Sequence, residues 1–464
     1  MLNVLEAIVE HRRETLANSP DVTDLQPSTK SLYDALKQPH FGFIMECKMA
    51  SPSKGLIRED FDLEEIVPVY NQYADAISVL TEDRFFRGSY ANLQYVSQHT
   101  DKPVLCKDFI LEPKQVRQAR FYGADAILLM LSVLNDYEYQ ACQKEAEQYS
   151  LDILTEVHNE EELERALNLG AKILGVNNRN LKDLTTDLNH TERLVKNIPA
   201  DVIVVTESGI NTHDDVIALS PLADACLVGS SLMAQQDLER AAKQLVYGDI
   251  KVCGVKDQSS ADLLMKTPAS SLGMIFVDSS PRRVDTLGFK TDKPVVGVFQ
   301  NHSLEDVVHS VSRFDLSGAQ LHGDETVEYV KELKDQLPQC RISKVISIRE
   351  GDSLPVIPEY PVDEILLDTQ VGSLRGGTGE TFDWFLIKQL KGQYPQYRFR
   401  VAGGVNPQNI KQLKQYGVNE IDVCGGTESE PGVKSEEKIK QFFANARAAS
   451  GRFASRASSK TSHE

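Results

Sequence analysis

No stretch of this sequence stays apolar over the ~20 residues that a helix needs to cross a bilayer, so no membrane span is expected. Positive charge is in deficit too. Fifty Lys and Arg stand against 68 Asp and Glu, a formal charge of −18, which argues against non-specific attachment to nucleic acid or to an anionic membrane. Anionic small molecules stay open, because they respond to local donors rather than to net charge. Cysteine is sparse and scattered: Cys47, Cys106, Cys142, Cys226, Cys253, Cys340 and Cys424 form no CxxC pair and no Cys/His cluster. An odd number so placed suggests free thiols in a reducing compartment, not a disulfide framework or a zinc site. The opening "MLNVLEAIVEHRRETL" reads as an amphipathic helix interrupted by charge, not as a secretory signal. A cytoplasmic protein is expected.

What is present is a repeating alternation. Short runs rich in Val, Ile and Leu ("FGFIMECK", "AISVLTE", "PVLCKDF", "AILLML", "LDILTEVH", "ILGVNNRN", "VIVVTESG", "ACLVGSS") are separated by helix-period segments such as "EPKQVRQARFYG" and "NEEELERALNLG". These begin polar and end in glycine, as helices do. Strand-helix alternation implies parallel strands joined by crossovers, and eight units in about 250 residues suggest a (β/α)8 barrel. A second set then begins: "DIKVCGV", "SLGMIFV", "KPVVGVFQ", "GAQLHG", "RISKVISI", "EILLDT", "YRFRVAGG" and "EIDVCGG". The expected fold is therefore α/β, two tandem (β/α)8 TIM barrels. The expected domains are 1–247 and 249–446, joined near Gly248, with the Ser/Ala-rich 447–464 as a disordered tail.

The stretch "FIMECKMASPSKG" places Glu46 and Lys48 on one face of a strand that should be buried. Two ionised groups in a packed core would be costly. At the carboxyl end of a barrel strand, however, an inward residue faces the active-site mouth. Lys107, Glu156, Asn177, and Glu207 with Ser208 end strands three, five, six and seven, so with Glu46 and Lys48 six polar or ionisable side chains, besides Ser208, converge on one rim from five strand ends. A structural ion-pair network could explain any single pair but hardly all six. Ser208 and Gly209 after strand seven, and Gly229 and Ser230 after strand eight, stand where barrel loops commonly bind phosphate.

The motifs "ECKMASPSKG", "VLTEDRFFRGS", "VLCKDFI", "LTEVHN", "GVNNRNL", "VTESGI" and "LVGSSLM", in order across residues 1–247, closely resemble the series of indole-3-glycerol-phosphate synthases. The resemblance implies ring closure of carboxyphenylamino-deoxyribulose phosphate with loss of carbon dioxide and water. It implies Lys107 as general acid, Glu156 as base for dehydration, and Lys48 holding the carboxylate or assisting the acid. Glu46, Asn177 and Glu207 would orient the substrate, while Ser51, Arg179, Ser208, Gly229 and Ser230 would contact carboxylate or phosphate. Met49 departs from the family's usual arginine and Asn180 from its usual aspartate.

In the second half, Cys253 and Asp368 end strands one and six, and a thiolate facing a carboxylic acid across a barrel is a plausible base and acid pair. Glycine-rich turns, "VAGGVN" and "VCGGTE", again follow strands seven and eight. "GGTGET" lacks the GK[ST] ending of a P-loop. With "SSPRRV", "AQLHGDE", "GGTGETFDW" and "ESEPGVK", these stretches resemble phosphoribosylanthranilate isomerases from about residue 249 to 446. That resemblance implies an Amadori rearrangement whose product is the first barrel's substrate. Asp368 would protonate the ring oxygen and Cys253 would remove the adjacent carbon's proton. Arg282 would bind the anthranilate carboxylate, and Gly403, Gly404, Gly425 and Gly426 would bind phosphate through their amides. The family more often has serine in the loop that here reads "DVCGGTE", around Gly425.

The expectation is a bifunctional enzyme of tryptophan biosynthesis acting on small phosphosugar-anthranilate molecules, monomeric, with no metal or organic cofactor, nucleic acid or membrane partner. The alternative keeps only the first barrel catalytic and makes the second structural. Intact Cys253, Asp368 and Arg282 weigh against it.

Overall fold

Strand and helix signals resolve as the alternation predicts. A computed structural model describes residues 4–17, 21–180, 185–286, 288–349, 351–352, 354–371, 374–375 and 379–453. The chain divides into two compact units, Met1–Val246 with Ala449–Glu464, and Tyr247–Ala448.

In the first unit, β1 (Gly42–Cys47), β2 (Ala76–Leu80), β3 (Val104–Lys107), β4 (Ala126–Met130), β5 (Asp152–Val157), β6 (Ile173–Asn177), β7 (Ile203–Glu207) and β8 (Ala225–Val228) form a closed parallel barrel in sequence order. Closure is made by β1, which pairs with β2 through Ile44 and Ala76 and with β8 through Gly42 and Ala225. Ile44, Leu105, Leu128, Leu154, Ile203 and Leu227 pack into one buried cluster. The helices between the strands start on local caps. Asn159, for example, accepts a hydrogen bond from the Glu162 N–H at 2.9 Å and opens the helix Glu160–Asn168.

In the second unit, β9 (Asp249–Cys253), β10 (Ser271–Ile275), β11 (Val295–Phe299), β12 (Gly318–Leu321), β13 (Arg341–Ile348), β14 (Glu364–Val371), β15 (Phe399–Val401) and β16 (Glu420–Val423) close the same way. At the amino ends of its strands Arg400, 2% exposed, is held between Glu364 at 3.0 Å and Asp249 at 2.8 Å. Such a paired charge, on the face away from the mouth, is structural and lies outside the chemistry. The strand that carries Asp368 runs on to Val371 and turns back through Leu374–Arg375, so Asp368 is not its last residue, as the sequence had suggested. Gly376, Gly377 and Thr378 of "GGTGET" lie outside the described residues.

The expectation of a disordered tail from residue 447 needs correction. Ala449 bridges His40, the Ser450 N–H donates to the Pro39 carbonyl at 3.2 Å, and that of Gly451 donates to the Ser220 carbonyl at 2.8 Å. The Ser450 hydroxyl donates to Asp224 Oδ1 at 2.9 Å, and Arg452 donates to the Pro199 and Val202 carbonyls at 2.5 and 3.1 Å. His40, Val202 and Asp224 immediately precede or closely approach β1, β7 and β8, so this strap lies at the floor of the first barrel. Its hydrogen bonds are directed largely at backbone carbonyls, which composition cannot reveal. Residues 454–464 lie outside the described residues. Among the described residues no helix is long and apolar enough to cross a membrane.

Candidate active sites

A cavity of about 450 Å³ opens at the carboxyl ends of β1–β8. Glu46, Lys48, Ser51, Lys107, Glu156, Asn177, Arg179, Glu207, Ser208, Gly209, Gly229 and Ser230 all line it, so all twelve residues given a role in this half are brought together. Lys107 is the hub. Its Nζ lies 3.1 Å from Glu207 Oε2 and 3.6 Å from Glu46 Oε2, and Lys48 forms an ion pair with Glu46 Oε1. Burial opposes the charge on Lys107, but Glu207, Glu46 and Glu156 outweigh it and hold the ammonium well above its usual range. Lys48 goes the other way, because burial together with Lys107 and Arg179 exceeds the help from Glu46.

The three carboxyls divide by neighbourhood. Burial would raise Glu46, yet the two lysines keep it ionised. Burial would also raise Glu156, but His158, Lys107 and Asn177 hold it low. Glu207 rises because burial and the other two carboxylates exceed the pull of Lys107. Glu156 Oε1 and Glu207 Oε1 are buried and make no hydrogen bond among the described residues, which leaves acceptors for a substrate. Apolar Ile8, Phe86, Phe109 and Leu188 supply walls suited to an aromatic ring. Ser53 receives a hydrogen bond from Arg179 at 2.8 Å, which anchors that guanidinium over the mouth. After β7, Ser208 adopts φ 66, a left-handed conformation uncommon outside glycine.

The second cavity, about 950 Å³, is lined by Cys253, Arg282, Asp368, Gly403, Gly404, Gly425 and Gly426, again every residue singled out there. Burial pushes the Asp368 carboxyl up to about 7 against a hydrogen bond from the Thr369 N–H. A carboxyl that keeps its proton near neutrality can act as an acid. Cys253 is held below its usual range by a hydrogen bond from Cys424, against burial, with help from Lys251. Arg282 already donates to Glu428 at 2.7 and 2.9 Å, and Lys434 pairs with the same carboxylate at 3.1 Å. Two cations against one anion leave the corner positive. Gly403 and Gly404 have φ 74 and 64, and a Cβ at Gly403 would stand 2.3 Å from Thr369 Oγ1. Gly426 packs so closely on the Val405 carbonyl that a Cβ would lie 2.2 Å from it. Backbone, not side chain, therefore faces this end of the cavity.

Three features escaped the sequence reading. Lys251 and Asp422, 2.7 Å apart and buried beneath Cys253, sit at inward positions of "DIKVC" and "EIDVC". The alternation that exposed Glu46 and Lys48 would have found them. His158, two residues past Glu156, places Nε2 3.1 Å from Glu156 Oε1, out of hydrogen-bonding geometry, and Nδ1 3.3 Å from Glu162. Last, glycines make room for the reacting groups. A Cβ at Gly175, Gly229 or Gly273 would meet Glu207 Oε1 at 2.2 Å, Glu46 Oε1 at 2.4 Å or Cys253 Sγ at 2.6 Å.

A family model described as indole-3-glycerol phosphate synthase matches residues 3–245, and one described as N-(5'-phosphoribosyl)anthranilate (PRA) isomerase matches residues 250–445. A Vibrio parahaemolyticus protein named "Tryptophan biosynthesis protein TrpCF" is 45% identical over 459 residues, covering 96% of this chain and 94% of its own. A protein of the same name from Haemophilus influenzae is 44% identical over 438 residues, 91% of each. Among solved structures, phosphoribosyl anthranilate isomerase from Thermus thermophilus is 28% identical, with TM-score 0.38, over 42% of this chain and 97% of that one.

Proposed function

This chain belongs to the family in which indole-3-glycerol phosphate synthase and PRA isomerase are fused, and from that premise we propose how its residues divide the two reactions. The protein is a bifunctional enzyme of tryptophan biosynthesis. Its C-terminal barrel converts N-(5-phosphoribosyl)anthranilate to 1-(2-carboxyphenylamino)-1-deoxyribulose 5-phosphate. Its N-terminal barrel closes that product to indole-3-glycerol phosphate, with loss of carbon dioxide and water.

In the synthase barrel Lys107 is the acid. As the ring carbon bearing the carboxylate attacks the sugar carbonyl, the ammonium delivers a proton to the oxygen that becomes a hydroxyl and then leaves as water. Glu156, ionised, takes the proton lost during dehydration. Lys48 holds the carboxylate that departs as carbon dioxide. Glu46, Asn177 and Glu207 orient the substrate, and Ser51, Arg179, Ser208, Gly229 and Ser230 receive carboxylate and phosphate. The observation that carries this reading is the contact of Lys107 with two buried carboxylates at one mouth.

In the isomerase barrel Asp368 protonates the furanose oxygen, the ring opens to an iminium, and the Cys253 thiolate removes the proton from the adjacent sugar carbon. The resulting enolamine tautomerises to the ketone. Arg282, kept in place by Glu428, attracts the anthranilate carboxylate, and the amides of Gly403, Gly404, Gly425 and Gly426 hold phosphate. The opposite displacements of the two groups support the assignment, with the carboxyl kept protonated and the thiol made acidic.

We further propose synthase and isomerase domains over 1–247 and 249–446, the strap at 449–453 joining the first. The chain would act as a cytoplasmic monomer, since each cavity is lined from a single unit, and would have no nucleic-acid partner. Assay of both reactions on purified Lys107→Ala and Cys253→Ser tests the division. Each variant should lose one reaction and keep the other, and loss of both in either would refute it. Sedimentation of the chain tests the monomer.

A further inference from the structure

Cys253 and Cys424 stand on neighbouring strands in a fixed relation. β9 and β16 are parallel, with Lys251 opposite Asp422 and Val252 opposite Val423. The same register carried one step further sets Cys253 opposite Cys424. Lys251 and Asp422 point inward and meet at 2.7 Å, and side chains two residues on share that face. The two thiols therefore form the next layer up, where both line the 950 Å³ cavity. Paired strands run about 4.8 Å apart, within the Cα separation a disulfide spans. Cys424 Sγ donates to Glu428 Oε1 at 3.7 Å, the carboxylate that also holds Arg282 and Lys434. A Cβ on the intervening Gly254 would lie 2.9 Å from Cys424 Sγ, so glycine leaves this sulfur its space.

The remaining cysteines offer a contrast. Cys47, Cys106, Cys142, Cys226 and Cys340 are all buried. Burial pushes Cys106 and Cys142 up to about 12 and Cys340 to about 11. Cys253 is lowered by the neighbouring Cys424 and by Lys251, while Cys424 is raised by Cys253 and by burial. A thiolate at a cavity wall with a second thiol beside it is the arrangement of a peroxide-sensitive pair.

We propose that Cys253 and Cys424 are joined reversibly by hydrogen peroxide into a disulfide that switches off the isomerase and spares the synthase. The Cys253 thiolate attacks one peroxide oxygen, the O–O bond breaks, and hydroxide leaves, giving a sulfenic acid. The Cys424 sulfur then attacks the Cys253 sulfur. The S–O bond breaks, the Cys424 proton combines with the departing hydroxide, and water leaves. Overall, a thiolate and a thiol are oxidised to the disulfide, and one peroxide is reduced to hydroxide and water. Loss of turnover rests on Cys253 being the base proposed above, whereas formation of the bond does not.

The test uses the full-length chain, reduced and then exposed to hydrogen peroxide. Non-reducing digestion and mass analysis should find the peptides containing Cys253 and Cys424 joined, two hydrogens lighter than their sum. Isomerase turnover should fall about 10²-fold, as on removal of a catalytic base, while synthase turnover holds. Dithiothreitol should restore the isomerase. In Cys424→Ser, measured against its own reduced activity, Cys253 has no partner and should pass to sulfinic acid, which dithiothreitol does not reverse. Absence of the joined peptides from peroxide-treated wild type overturns the proposal, and so does equal recovery of the two proteins. Joined peptides with undiminished isomerase would support the bond but refute Cys253 as the base, and with it the switch.

Discussion

A lysine ringed by three carboxylates keeps its proton far above neutrality, and this makes Lys107 a fixed cation rather than a titrating one. Lys107→Ala should reduce synthase turnover by about 10²–10⁴-fold, the usual loss of a general acid, with isomerase turnover unchanged. Steady-state assay of both reactions on one preparation gives the answer. Glu156→Gln should slow product formation after ring closure, seen as build-up of an intermediate in single-turnover experiments. In the other barrel, Asp368 must be protonated and Cys253 ionised in the free enzyme. As pH rises through about 7, Asp368 loses its proton, so isomerase kcat/KM should fall on that side. Below the thiol's lowered range Cys253 gains a proton, so activity should fall there also. The residual activity of Asp368→Asn should lack the alkaline limb. At this scale the sequence was informative because charged residues near the ends of apolar strands stand out. His158 does not, since its effect on Glu156 depends on ring orientation.

Barrel strands position these groups through what lies beside them as much as through what they carry. Gly273 is directly opposite Cys253, and a Cβ there would also stand 2.9 Å from Lys251 Cε. A buried backbone cannot give way easily. Gly273→Ala should therefore displace the thiol and depress isomerase turnover by roughly tenfold or more, a loss expected when a catalytic group is misplaced by an ångström or less. Synthase assay is the internal control, and an unaffected isomerase would mean that the strand absorbs the methyl group. The strap is an element of another kind. Its Ser450 and Arg452 occupy acceptors at the floor of the first barrel. Removal of the Arg452 hydrogen bonds should cost about 1.5–3 kcal/mol, the range for bonds to a charged group. Thermal unfolding of Arg452→Ala followed through synthase activity would measure this. Isomerase activity should lose nothing before its own unfolding.

Each barrel contains its own eight strands and its own closing pair, so neither needs a strand from the other. Separate fragments should consequently carry separate activities. A chain ending at residue 247 should fold and retain synthase activity, but without the strap its midpoint should drop by about 2–4 °C for each kcal/mol lost, the scaling for domains of this size. A fragment spanning 247–448 should retain isomerase activity. Expression and assay of both will decide, and a folded but inactive fragment would show that the halves complete each other's sites.

Much of this protein was set by local pattern. Apolar period, helix starts and glycine stops fixed sixteen strands in two cycles, because a parallel strand buried on both faces and a capped helix each leave a signature within a dozen residues. Barrel closure then sent Glu46, Lys107, Glu156 and Glu207 to one mouth and Cys253 and Asp368 to another. Tertiary structure decided what depends on distance between remote residues. It set which carboxyl is raised and which lowered, since Glu46, Glu156 and Glu207 are one residue type in three electrostatic neighbourhoods. It paired Lys251 with Asp422 and laid Cys424 against Cys253, 171 positions away in both cases by register. It also returned Ser450 and Arg452 to a barrel whose last strand ends at Val228, through hydrogen bonds to Asp224 and to backbone carbonyls. Every residue has such a carbonyl, so nothing in the letters themselves marks the place.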